Sequence, residues 1–301
     1  MSSEKFYCGY VALVGKPNTG KSTLMNALVG EKLSITADRP QTTRHQILGI
    51  KTDQHSQCIF VDTPGIHQNQ KKAINRYMNR AASSVLEDVD MICCLLDVRN
   101  FNGDDVQILQ KIQSLTNKPG HVILVLNKID KIEKAKILPV LKRISEVMPN
   151  VDIIPVSALK QENLDHLMNA IQKNIPEGIP HFPDDQLTDK PMRFIVAEII
   201  REKLFRMLTQ ELPYSLTVKI EHYQVEEKIV RISASIWVER KSQKGIVIGN
   251  RGSMLKKIGS EARRDIEPLV DNKVYLQLWV KVREDWSDDE ASLASFGYSS
   301  E

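Results

Sequence analysis

The stretch Tyr10-Val11-Ala12-Leu13-Val14-Gly15-Lys16-Pro17-Asn18-Thr19-Gly20-Lys21-Ser22-Thr23-Leu24 decides the fold. Tyr10 to Val14 form an apolar run of strand type, residues 15–22 match GxxxxGK[ST], and Thr23 to Leu28 continue in a helical pattern. Strand, glycine-rich loop and helix in that order is the setting in which this motif cradles phosphate, because backbone N–H groups and a helix N-terminus supply positive potential. Lys21 is placed to reach β- and γ-phosphates, and the Ser22 hydroxyl to ligate Mg²⁺. Gly15, Lys16, Pro17, Asn18, Thr19, Gly20 and Thr23 complete the loop round the phosphates. A structural glycine turn would explain a lone match, but not one bracketed by strand and helix.

Working outward, apolar runs recur at Cys58 to Val61, Met91 to Leu96, Val122 to Leu126 and Asp152 to Val156, separated by helical patterns. That alternation predicts an α/β domain with a mostly parallel sheet covered on both faces, whose ligands bind at the carboxyl ends of the strands. Those ends carry the remaining polar signals. Asp62-Thr63-Pro64-Gly65 offers a carboxylate to hold Mg²⁺ through water and a Gly65 N–H to bond a γ-phosphate. Asn127-Lys128-Ile129-Asp130 offers a carboxylate that accepts two hydrogen bonds from guanine and none from adenine in the same place. Asn127 is expected to brace the loops, and the Lys128 stem to cover the base. Ser157-Ala158-Leu159 closes the base pocket, with the Ala158 N–H available to the guanine O6.

In order, Gly15 to Ser22, Thr43, Asp62 to Gly65, Asn127 to Asp130 and Ser157 to Leu159 match the five motifs of a GTPase. The chain thus resembles the translation-factor-related GTPases, and among them the TrmE/Era/EngA group. The resemblance implies a GTPase cycling between GTP and GDP with Mg²⁺, in which Thr43 closes on the metal and Thr42 shapes the loop. Lys21, Thr43, Asn18 and Gly65 are the residues it assigns to hydrolysis. Related GTPases have an asparagine at the Asn18 position that coordinates K⁺; the alternative is that Asn18 only satisfies loop backbone groups. Where a Ras-like enzyme has a glutamine after its DxxG, this chain has Ile66 followed by His67, so intrinsic hydrolysis is expected to be slow.

Beyond residue 191 the pattern changes to a helix (Arg193 to Leu208), two strands (Ser215 to Tyr223, Ile229 to Glu239), a helical region (Lys244 to Leu269) and a last strand (Lys273 to Val282). Gly249-Asn250-Arg251-Gly252 interrupts the helical region, and a GxxG loop in this element order resembles an α+β type II KH domain. Gly249 and Gly252 let an RNA backbone approach, Asn250, Arg251, Lys244 and Lys256 face phosphate and sugar, and Ile246 and Ile248 are expected to line the groove for bases, core packing being the alternative for either. A GTPase domain followed by one KH domain is similar to the KH-bearing ribosome-assembly branch of the group. That resemblance implies binding of the 3′ end of 16S rRNA, not DNA, and a role in small (30S) subunit assembly and rRNA processing. A tRNA-modification GTPase, a non-catalytic RNA chaperone and an ATP-dependent remodeller are the competing readings.

The domain boundaries read as 1–175 for the GTPase domain, 176–191 for a Pro/Asp linker, 192–285 for the KH domain and 286–301 for a tail. The tail is acidic and Ser-rich, which suggests disorder, although Trp286, Leu293, Phe296 and Tyr298 offer docking groups. With 301 residues, 42% hydrophobic and 26% charged, the chain has material for two cores, and a net charge of +3 neither demands nor forbids a nucleic acid. Cys8, Cys58, Cys93 and Cys94 show no metal spacing and read as buried thiols in a reducing compartment. No run is long enough to span a bilayer. The expectation is a cytoplasmic monomer, compatible with a peripheral contact at the inner face of the cell membrane.

Overall fold

The computed structural model describes residues 5–37, 39, 42–65, 72–115, 120–209 and 211–298. The chain divides into two compact units, Met1–Ser34 with Thr43–Gln68 and Met78–Asp189, and Ile35–Thr42 with Asn69–Tyr77 and Lys190–Glu301.

The first unit is built on strands β1 (Tyr7–Val14), β2 (Ile47–Thr52), β3 (Ser56–Asp62), β4 (Met91–Asp97), β5 (Val122–Asn127) and β6 (Asp152–Pro155), in the order β2-β3-β1-β4-β5-β6. β1, β3, β4, β5 and β6 run parallel, and β2 pairs antiparallel with β3. Every residue of β3 and β4 is buried, as both-face coverage requires. Helices α1 (Lys21–Val29), α2 (Ala73–Asp88, in this unit from Met78 on), α3 (Gly103–Leu115), α4 (Ile137–Val147) and α5 (Leu164–Asn174) connect the strands. Ala12, Val14, Cys94, Leu96, Leu124 and Leu126 share one sheet face, where Val85 of α2, Leu109 of α3 and Ile144 of α4 close the core. The parallel strands end together, which brings Gly15, Asp62, Asp97, Asn127 and Val156 to one edge.

β2 is the strand that the apolar runs do not reveal. Gly49 interrupts it because α1 packs too close for a side chain: a Cβ there would lie 2.9 Å from the Met25 side chain. The Pro/Asp segment after α5 is fastened to this unit. Cys8 N–H donates to Pro176 O at 3.0 Å, Gly178 N–H to Phe6 O at 3.0 Å, and Ile50 N–H to Leu187 O at 2.8 Å. The last bond covers the outer edge of β2, which would otherwise present unpaired backbone groups. All four cysteines are free and buried, and burial pushes the thiols of Cys58 and Cys94 up to about 12.

In the second unit α6 (Met192–Met207) precedes β7 (Leu216–Val225), β8 (Ile229–Val238), α7 (Lys241–Ile248), α8 (Ser253–Val270), β9 (Lys273–Val282) and α9 (Glu290–Ser295). The sheet order is β7-β8-β9, with β7 antiparallel and β9 parallel to β8. Val230, Ile232, Ala234 and Ile236 of β8 pack beneath Ile199 and Leu204 of α6 and Ile258, Ala262 and Ile266 of α8. Arg201 is buried in α6, paired with Glu198 at 2.6 Å and stacked 5.2 Å from the Phe205 ring; it also donates to the carbonyl of Thr42.

The suggestion of a disordered tail is corrected for the described residues 286–298. Trp286 is fully buried with its Nε1 donating to Ser215 O at 3.1 Å, and the Tyr298 and Thr217 hydroxyls lie 3.0 Å apart. Phe296 packs edge-on against Trp286, so the aromatic residues outweigh the acidic composition around them.

Candidate nucleotide and RNA sites

The loop after β1 needs its glycines. Gly15 and Gly20 have φ of 143° and 101°, and a Cβ would collide with Leu95 O at the first and with the Asn127 side-chain amide at the second. Asn18, exposed at the loop tip, takes φ of 63°. Thr19 Oγ1 donates to Lys16 O at 2.9 Å and closes the loop on itself. The Lys16 ammonium leaves the loop and pairs with Asp105 at 2.6 Å.

Lys21 heads α1, buried, with Nζ donating to the carbonyls of Gly15 and Lys16 at 3.1 Å each. Burial pulls its pKa down to about 8 while Asp62 works the other way. A polyphosphate brought beside Lys21 would raise it again. Ser22 Oγ donates to Asp62 Oδ2 at 2.7 Å and lies 2.7 Å from Thr43 Oγ1. A hydroxyl has one proton, so the Thr43 hydroxyl donates to Ser22 and the three residues form one chain. Thr42 does not join them; its hydroxyl donates to Arg39 O at 2.7 Å. Burial raises the Asp62 pKa against the hydroxyl donors and Lys21. Gly65 packs on Pro17, where a Cβ would lie 2.9 Å from Pro17 Cγ. Ile66 and His67 lie outside the described residues.

Around the base pocket Asn127 does the bracing. Its amide donates to Thr19 O at 2.9 Å, and its Oδ1 accepts from Lys128 N–H at 2.8 Å and Ala158 N–H at 3.0 Å. The Ala158 N–H, expected to be available to a ligand, is therefore engaged by Asn127, because β5 and β6 end side by side. Ser157 is buried and its hydroxyl donates to Asp130, while Leu159 is exposed at the rim. Lys128 extends along the loop to the Asn18 carbonyl and pairs with Asp97 at 2.9 Å. Asp97, at the end of β4, has no counterpart among the motifs. The signal that could have found it is an acid ending an apolar strand of a parallel sheet.

In the second unit Gly249 and Gly252 have φ of 73° and 79°, and Arg251 between them takes φ of 49°. A Cβ at Gly249 would lie 2.7 Å from Met254 Cβ, so only glycine fits, and Asn250 and Arg251 stand exposed at the tip. Beside the loop runs a groove of about 420 Å³ with Leu255, Val274, Leu276 and Leu278 as its apolar lining and Lys256 and Arg263 as its cations. Ile246 and Ile248 are not part of it. Ile246 is 57% exposed and Ile248 packs toward the core, because Val247 takes the inward position of this short helix. Lys244 is exposed on the same helix, away from the groove lining.

Comparison with known proteins adds to this geometry. The chain matches the family described as 50S ribosome-binding GTPase over residues 10–128 and the KH domain family over residues 211–287. It is 50% identical to GTPase Era of Pseudomonas fluorescens, covering 97% of this chain and 96% of that one. GTPase Era of Glaesserella parasuis is also 50% identical, with both chains covered in full. Among solved structures, Era of Aquifex aeolicus bound to GDP and AlF₄⁻ matches at 41% identity and TM-score 0.93, over 98% of this chain and all of that one. A structure of Era with MgGDPNP and nucleotides 1506–1542 of 16S ribosomal RNA matches at 42% identity and TM-score 0.93, with the same coverage.

Proposed function

This chain belongs to the Era family of GTPases, and from that premise we propose that it hydrolyses GTP in the first unit and grips the 3′ segment of 16S rRNA with the second, during small-subunit assembly. The observation that carries the hydrolytic half is the convergence of Ser22, Thr43 and Asp62 beside Lys21 at the carboxyl edge of the sheet. Those oxygens fit Mg²⁺, a hard cation that prefers hydroxyl, carboxylate and water ligands. Asp62 Oδ1 supports the fit, being buried with no hydrogen-bond partner among the described residues. Ser22, Thr43 and Asp62 would hold the ion, which when bound neutralises charge on the β- and γ-phosphates. Lys21 orients the same phosphates, and the Gly65 N–H reads the γ-phosphate. Gly15 to Thr23 wrap the phosphates, and Asn127, Lys128, Asp130, Ser157, Ala158 and Leu159 enclose the guanine.

K⁺ beside Asn18 belongs to this proposal as well. Hydrolysis should then run faster in K⁺ than in Na⁺ at equal ionic strength, and Asn18→Ala should lose the difference. RNA binding is assigned to Gly249, Asn250, Arg251, Gly252 and Lys256, joined by the groove residues. Lys244 is left as a peripheral charge. Of the described helices none is long and apolar enough to cross a membrane. The working unit we propose is one copy of the chain, acting in the cytoplasm on the small subunit.

The test is phosphate release from GTP, measured with and without an oligonucleotide of the 16S rRNA 3′ end. Release from GTP but not ATP, together with binding of that RNA over a scrambled sequence, is the expected result. Absence of either one overturns the corresponding half.

A further inference from the structure

Asp62 Oδ2 receives a second close hydroxyl besides Ser22, with Thr43 Oγ1 farther off at 3.5 Å. Ser34 Oγ donates to it at 2.9 Å, from a buried position. Ser34 is itself held from α1. Asn26 Oδ1 accepts from Leu33 N–H at 3.0 Å and from Ser34 N–H at 2.9 Å, while its Nδ2 donates to Ser34 O at 2.7 Å. One amide thus satisfies three backbone groups of a two-residue segment. The segment reaches Asn26 because α1 ends at Gly30, whose φ of 94° reverses the chain and whose N–H caps Asn26 O at 2.9 Å.

Ser22 and Asn26 stand four residues apart on α1, so they share a helix face one turn from each other. The helix therefore presents one hydroxyl to Asp62 directly and a second one through Asn26 and Ser34. The two hydroxyls differ in what they can do. Ser22 has Thr43 as a further partner and is half-buried, whereas among the described residues Ser34 Oγ bonds Asp62 alone. Its donation occupies Oδ2 and leaves Oδ1 as the carboxylate oxygen with capacity to spare.

We propose that Ser34 is a positioning residue of the metal site, fixing the Asp62 carboxylate while Asn26 fixes Ser34. This rests on the reading that Ser22, Thr43 and Asp62 hold Mg²⁺. Groups that orient a metal ligand from behind contribute about tenfold or more to metal affinity, so the loss should be visible in the metal dependence rather than in nucleotide contacts.

The experiment measures release of a fluorescent GDP derivative as free Mg²⁺ is varied, and again in EDTA. In Ser34→Ala the Mg²⁺ concentration that half-maximally slows release should rise about tenfold. The rate in EDTA should match the parent. Ser34→Thr, which keeps the hydroxyl, should stay within about twofold of the parent. Asn26→Ala should shift the same quantity, and the double variant should shift it by less than the two combined, as expected of residues acting through one linkage. Ser34→Cys replaces the alanine variant should that fail to fold, since a thiol keeps the volume but donates weakly. A parent whose release ignores Mg²⁺ would remove the metal reading itself. A parent that responds, with folded Ser34→Ala or Ser34→Cys at the same half-saturation, overturns the role of Ser34 alone. Equal losses with Mg²⁺ and in EDTA would make Ser34 part of loop packing and overturn it too.

Discussion

The Ser157 hydroxyl donates to Oδ1 of Asp130 at 2.7 Å, and this bond decides which oxygen of the carboxylate is spoken for. Ser157 is buried, and its Oγ also accepts from the Lys160 N–H at 3.1 Å, so the hydroxyl proton has one orientation. In Asp130→Asn the same hydroxyl should hold the amide oxygen and turn the NH₂ outward. The new donor suits the 2-oxo group of xanthine and opposes the 2-amino group of guanine. Affinity for GTP should fall on the order of a hundredfold while affinity for xanthosine triphosphate rises. Competition titrations of the two nucleotides check it, and an unchanged preference for GTP would show that Asp130 does not read the base.

Asp97 gives a pH dependence with a defined sign. Burial works to raise its pKa, but Arg99 and Lys128 donate to it and outweigh burial, holding it at about 2 against an ordinary 3.8. Because the folded value is the lower one, folding favours the ionised form. The stabilisation is complete above pH about 4 and is lost as pH falls from about 4 toward 2. Partial exposure of Arg99 screens the pair, so the contribution is about 1 kcal/mol. Urea unfolding between pH 2 and pH 6 should show the parent losing stability across that window and Asp97→Asn losing less of it. Parallel curves for the two proteins would refute the assignment.

Gly259 yields a prediction in which stability and binding move in opposite directions. It lies within α8, faces the groove, and a Cβ there would meet only Leu278 Cδ1, at an ordinary 3.5 Å. Gly259→Ala therefore costs no clash and should stabilise the helix by up to about 1 kcal/mol. The added methyl narrows the floor on which a base would lie, so RNA affinity should fall. Thermal unfolding and RNA titration on the same sample separate the effects. A stabilised variant with undiminished RNA binding would remove Gly259 from the contact surface.

What was legible in the sequence is what a short stretch of chain encodes. Gly15 to Ser22 build a phosphate loop from consecutive residues, and Asp62, Asn127 and Ser157 each follow an apolar strand that parallel pairing carries to the same edge. Ser34 and Asn26 carry no such mark, because a serine and an asparagine acquire meaning only when Gly30 turns the chain back onto α1. The groove escaped for a related reason. GxxG marks one end, but the walls are Leu255, Lys256 and Arg263 of α8 and Leu276 and Leu278 of β9, and which residues of α8 face the groove follows from its inward set, Ile258, Ala262 and Ile266. The docked tail was misjudged by composition, since Trp286, Tyr298 and Phe296 find partners at Ser215 just before β7, at Thr217 on β7 and at Trp237 on β8 that no local pattern announces.

The tip of the GxxG loop carries the last prediction. Asn250 and Arg251 are exposed, so replacing both by Asp removes no packing, and Asp tolerates the left-handed φ of 49° at position 251 better than most residues. Two carboxylates would then face phosphate oxygens where a cation and an amide stood. RNA binding should weaken at least tenfold, about 1.4 kcal/mol, with a shallower salt dependence because one fewer counterion is released. GTP affinity should not change, because every described residue of the nucleotide site lies elsewhere in the sequence, at positions 15–23, 43, 62–65, 127–130 and 157–159. Filter binding of a single-stranded 16S rRNA 3′-end oligonucleotide across a salt series supplies both numbers, with circular dichroism confirming the fold. If the folded double variant binds that RNA as tightly as the parent and with the same salt slope, the loop is not the contact surface and its charge is only solvated.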